Sequence, residues 1–197
     1  MSAEVMMEFL NECSLESRLG FFVASHCAPV LKGIKVSNIM TSERGTWKRL
    51  VKILEGSQVL CSLLSVQKGR EILLLYRYEK LREHLQKEKV RGFLEENGYE
   101  EITVAAVILR LRQRYAGYVR GSQEFPHELG VILEYPVEDV KGFITNKGKN
   151  CLAEKYWKVY HNKEQAEAVF ARYDHAREAA MEEIVAGCPL REVAAAC

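Results

Sequence analysis

The 197-residue chain has no C-x-x-C pair, no glycine-rich phosphate loop, no dinucleotide fingerprint and no H-E-x-x-H motif. A zinc ribbon, a thioredoxin-type redox pair, a P-loop nucleotide site, a Rossmann cofactor site and a zincin metal site are therefore not expected. No metal-ligand spacing is present, and no motif identifies a particular cofactor. Charge of one sign is also missing, because 28 basic and 27 acidic residues leave a net charge of +1. Such balance gives no general attraction for nucleic acid or for an anionic membrane, so any basic site must be local. No apolar run approaches the roughly 18 residues that span a bilayer. Glu4, Glu8, Glu12 and Glu16 occupy the stretch where a secretory leader would need basic and then unbroken apolar residues. The expectation is a cytoplasmic protein with no membrane partner. In that compartment Cys13, Cys27, Cys61, Cys151, Cys188 and Cys197 are expected as free thiols. Proline is scarce, at four residues, and there is no repeat, low-complexity tract or linker. One compact unit is the simplest reading.

What is present is an ordinary globular balance, 48% apolar and 28% charged. The first thirty residues look helical, with Leu15, Leu19, Phe22, Val23 and His26 on one apolar face and Pro29 expected to break or restart the helix. "KVSNIMTS" reads as a weak strand and "SERGTWKRLVKIL" as a helix. "QVLCSLLSV" and "EILLLYRY" flank a glycine-containing turn, a hairpin signal. Their near-continuous apolarity predicts a sheet covered on both faces. Two short helices follow, the second closed by Gly98, and then a longer one through "EEITVAAVILRLRQRYAGYV". "HELGVILEYPVEDVKGFI" reads as two short helices around a proline turn, and "KYWKVYHN" as a short strand. The last helix opens on Asn162 and Gln165 at capping-box spacing. It carries the stripe Ala166, Val169, Phe170, Tyr173, Ala176, Ala180 and Ile184. This order predicts an α+β or α/β fold, with a small mixed sheet around a central hairpin and a majority of helices.

Several stretches offer chemistry. "HELGVILEYPVEDVKGFI" has the apolar spacing of a helix-turn-helix in Leu129, Gly130, Leu133, Val140 and Phe143. Its turn, however, holds Glu134 where glycine is usual, and its second helix starts with Glu138 and Asp139, which oppose a phosphate backbone. DNA reading is disfavoured, and packing plus one wall of a site is expected. His127 and Glu128 follow Pro126 in a first helical turn, where free N–H groups favour an anion. A bland alternative is that Glu128 answers the helix dipole. His26 and Cys27 are adjacent, so they point about 100° apart on a helix and form no dyad with each other. His26 reads as a hydrogen-bonded core histidine, or as a metal ligand or acid–base group meeting His127 or a carboxylate across the fold. "LRLRQRYAGYVR" carries Arg110, Arg112, Arg114 and Arg120, either a solvated face or a docking stripe for a negative partner. Asn146 and Asn150 suit turns. Lys147 and Lys149 beside Trp157 and Tyr160 could form a ligand edge.

"HCAPVLKGIKVSNI", "LLLYRYEKL", "FPHELGVILEYPVEDVKGFITNKGKN" and "YWKVYHNKEQAEAVFARY" together resemble a family of bacterial proteins of unknown function, typical of anaerobes. The resemblance covers nearly the whole chain and is most specific from Phe125 to Tyr160. The family has no established activity, so no catalytic assignment transfers. Its members accompany flavodoxins and iron-uptake proteins, which implies a setting in iron or redox physiology. The resemblance implies a single domain over residues 1–197 with residues 188–197 as a peripheral tail. The leading expectation is a small-ligand or cofactor-binding accessory protein, its pocket built from His26, Lys35, Arg77, His127, Glu128 and Asn150. Two cations and a helix start suit a small anionic ligand. The rival readings are an enzyme with His127 or His26 as general base and Arg77 or Lys35 steadying negative charge, and an interaction module. The module would present Arg110, Arg114 and Arg120 to an acidic, flavodoxin-like partner.

Overall fold

The structure, a computed structural model, describes residues 2–195. Strand β3 (Arg70–Arg77) decides its architecture. The strand is apolar from Ile72 to Tyr76, a run that needs cover on both faces. It lies at the centre of a three-stranded sheet of order β1–β3–β2, between β1 (Ser37–Glu43) and β2 (Val59–Gln67). Met40 and Leu63 stand opposite Leu73 on the two sides. Alternation then splits the run. Ile72, Leu74 and Tyr76 enter one apolar cluster, and Leu73 and Leu75 enter another. The hairpin turn is Lys68–Gly69, with φ of 46° and 79°, the backbone that a two-residue type I′ turn requires.

The α+β class and the hairpin stand as expected, but no parallel pair forms among the described residues. β1 and β2 run in the same direction, and β3 lies between them antiparallel to both. The strand expected across "KYWKVYHN" shrinks to β5 (Lys158–Val159), paired with β4 (Ala153–Glu154) in a separate antiparallel ribbon.

One face of the sheet is covered by α1 (Ala3–Glu12), α2 (Leu15–Leu31), α3 (Thr46–Ile53), α9 (Lys163–Val185) and α10 (Leu190–Ala195). Helices α2 and α9 approach closely because their facing residues are small. Gly20, Ala24 and Ala28 on one and Ala176 and Ala180 on the other are buried. A Cβ on Gly20 would lie 3.3 Å from Ile184 Cδ1. Pro29 does not break α2, which continues to Leu31. The proline sits in the last turn, and its carbonyl accepts from the amides of both Ile34 and Lys35, which seals the helix end. The apolar face of α2 is also rotated from the expected one, leaving Leu15 72% exposed and His26 exposed. Nor is the stretch from residue 188 peripheral where it is described. Leu190, Val193 and Ala194 are buried against α2 and α9.

The other face is covered by α4 (Tyr78–Leu85), α5 (Glu88–Glu96), α6 (Val104–Val119), α7 (Glu128–Ile132) and α8 (Val137–Thr145). These helices are short apart from α6. The last carbonyls of α7 meet side chains from elsewhere in the fold, Ile132 accepting from the Ser37 hydroxyl at 2.7 Å and Val131 lying 2.9 Å from His84 Nε2.

Candidate functional site

Helices α7 and α8, the strand β5 and Phe125 line a half-open apolar cavity of about 290 Å³. Its wall is aromatic (Phe125, Tyr135, Phe143 and Trp157) and aliphatic (Leu129, Leu133 and Val140), with His127 and Lys158 among the lining residues. Two glycines set its shape. A Cβ on Gly130 would lie 2.9 Å from Val140 Cγ2, and one on Gly142 would lie 2.5 Å from Tyr160 Cβ. Each glycine lets backbone and neighbour approach closer than an alanine would.

Asp139 holds α8 to β5. Its Oδ2 accepts from Trp157 Nε1 at 2.7 Å, and its Oδ1 accepts from the amides of Tyr160 and His161 at 2.7 and 2.8 Å. This carboxylate therefore stands the indole up as a wall, with the Tyr135 ring stacked on it at 5.3 Å. The turn between α7 and α8 places Glu134 at φ 64°, in the left-handed region. A charged residue thus takes the conformation for which glycine is usual in such a turn. Its carboxylate accepts from the Val36 amide at 2.9 Å and so ties the turn to the start of β1.

The six candidate residues do not gather around one cavity. His127 lines it, packed at 5.4 Å from the Phe125 ring and 5.6 Å from the Phe143 ring. Glu128 is 0% exposed and faces inward. Its carboxylate accepts from Arg114 and, at 3.2 Å, from the Tyr99 hydroxyl. Burial and the adjacent Glu128 charge push the Tyr99 phenol well above its ordinary pKa. Lys35 is 3% exposed, donates to Asn38 Oδ1 at 2.7 Å, and lies 5.1 Å from the centroid of the Tyr135 ring in the cavity wall. Burial lowers its pKa from 10.5 to about 8, against the pull of Cys27 and Glu134.

Arg77 is engaged on the opposite side of the sheet. Its Nε donates to the Val30 carbonyl at 2.8 Å. Its two Nη atoms donate to Gln58 Oε1 at 2.6 Å, to the Leu31 carbonyl at 2.6 Å and to the Ala194 carbonyl at 3.0 Å. The guanidinium thus satisfies the orphan carbonyls at the end of α2. His26 Nδ1 lies 2.9 Å from the Phe22 carbonyl on its own helix, and its ring packs on Phe22. Asn150 is an exposed turn residue at φ 57°. Of the arginine stripe, Arg110 and Arg120 are exposed, whereas Arg114 is spent on Glu128.

Sequence reasoning expected one wall of a site from residues 127–144, which holds Leu133, Tyr135 and Asp139, but it did not bring Trp157 to that wall. Asp139 was read for its charge at a helix start, and nothing local tells that its partner is an indole 18 residues away. The five described cysteines are free, and Cys27 is buried. Burial lifts the Cys27 thiol to about 11. Cys197 lies outside the described residues. Among the described residues no helix is long and apolar enough to cross a membrane.

A sheet covered on both faces, with an apolar cavity between α7, α8 and β5, defines an α+β protein with a small-molecule-sized apolar site. The family described as "Protein of unknown function (DUF3793)" matches residues 23–194, and the chain belongs to that family. No curated protein and no solved structure matches.

Proposed function

We propose that the chain binds a small, flat, mainly apolar molecule in the cavity between α7, α8 and β5. One observation carries the reading: about 290 Å³ of space lined by four aromatic rings and three aliphatic side chains. Protein interiors are otherwise close-packed, and pockets of this character and roughly this size are where small ligands bind. An iron or redox setting for that ligand enters through the family resemblance of the sequence.

The test is an amide NMR titration with naphthalene. Saturable shifts centred on Gly130, Val140 and Phe143 are expected. Their amides staying unmoved to the solubility limit would overturn the reading.

A further inference from the structure

The polar atoms of this cavity are few, and most are already committed. Lys158 Nζ donates to the Gly148 carbonyl at 2.9 Å and lies 3.5 Å from Glu154. The Asp139 carboxylate is occupied by three N–H donors. Two lining side chains have no hydrogen-bond partner among the described residues, the His127 imidazole and the Tyr135 hydroxyl.

Size and wall chemistry narrow the occupant further. A cavity of about 150 Å³ holds one benzene ring, so about 290 Å³ suits two fused rings. Aromatic walls favour a planar π-system stacked or edge-on against them. A charged group would lose its hydration here without a free counter-charge, because the lysine amine is bonded elsewhere.

We propose that the site selects a neutral fused-ring aromatic carrying a hydrogen-bond acceptor on one edge, a ring nitrogen or a carbonyl, to which His127 and Tyr135 donate. The inference rests on the cavity being a binding site. It replaces the small anion expected from the sequence with a neutral heteroaromatic.

Isoquinoline and naphthalene test it, since they have the same shape and differ by one ring nitrogen. Isoquinoline is much better hydrated, so a cavity offering no donor prefers naphthalene. The affinities of both are measured by NMR titration, at a pH where isoquinoline is neutral. The wild-type protein is expected to bind isoquinoline at least as tightly as naphthalene. The double variant His127→Phe, Tyr135→Phe keeps both rings and loses both donors. It should weaken isoquinoline about tenfold and leave naphthalene within about twofold. Tighter binding of naphthalene by the wild type, with no change in the variant's preference, overturns the acceptor-edge inference while the cavity reading stands. Failure of both probes to bind overturns both. If the double variant does not fold, the wild-type order of the two affinities decides.

Discussion

The two faces of β3 solve the same packing problem differently. On one, α2 and α9 are long and faced with alanine and glycine, so they close over Leu73 and Leu75, and one buried cation, Arg77, finishes the end of α2 and ties it to α10. On the other, helices of five to nine residues surround α6. Short helices expose more unpaired N–H and C=O groups for each residue they bury. Here acidic side chains tie the layer together from one element to the next: Glu128 to Arg114 and Tyr99, Glu134 to the Val36 amide, Asp139 to Trp157 and the amides that follow β5. Long helices give a closed layer. Short ones leave the gap that becomes the cavity.

That contrast is most exposed to Arg77→Met. The carbonyls of Val30, Leu31 and Ala194 would lose their donor in the interior, at a cost of about 4 kcal/mol. Urea denaturation measures it, and a loss below about 1 kcal/mol would show that the closed layer does not depend on its cation. On the other face, Asp139→Ala strips three donors of one acceptor and should cost about 3 kcal/mol. It should also shift Trp157 emission to the red. Unchanged emission would mean that the indole stands without the carboxylate.

Lys35 sharpens the comparison through pH. Its folded pKa of about 8 lies below the ordinary 10.5. Between those values the unfolded chain holds the proton and the folded chain does not. The Lys35 contribution is therefore complete above pH 10.5 and is lost as pH falls to about 8. Cys27 and Cys61 oppose it over an overlapping range, because burial raises their thiols to about 11 and about 12. The difference between wild type and Lys35→Met isolates the lysine and should change by about 2–3 kcal/mol across the window. A flat difference in pH-dependent denaturation would place the amine in water. The smallest effect is expected from Glu134→Gly. Relief of the left-handed backbone, about 1 kcal/mol, offsets loss of the bond to the Val36 amide, about 1 kcal/mol. A melting temperature moved by more than about 8 °C in either direction would break that balance.

The sheet was legible because its signals are local. The apolar run of β3 and the glycine turn before it stand in consecutive residues, and the α9 stripe from Ala166 to Ile184 repeats at helical spacing. The site was half legible. His127 was found because a polar ring beside Pro126 has little local reason to be there. Arg77 looked equally functional, yet besides Gln58 it bonds backbone carbonyls from residues 46 and 117 positions away. A side chain that bonds backbone leaves no complementary residue type in the sequence to betray it. Pro29 misled for a related reason: its effect depends on how far it lies from the helix end, and that end is fixed by Arg77 and Lys35 from outside.

The pairing of α2 with α9 also constrains the order in which the chain can mature. Lys32 and Glu183, joined at 2.6 Å, are 151 positions apart. During synthesis at about 5–20 residues per second, α2 waits on the order of ten seconds or more for its partner. Over that interval the alanine face of α2 and the underside of β3 have no cover from α9 and α10, while the β2–β3 hairpin and α4 to α8 can already assemble on the other side. The face that is tightest in the finished protein is thus the last to close on the ribosome, and it is the surface for which a nascent-chain chaperone would compete.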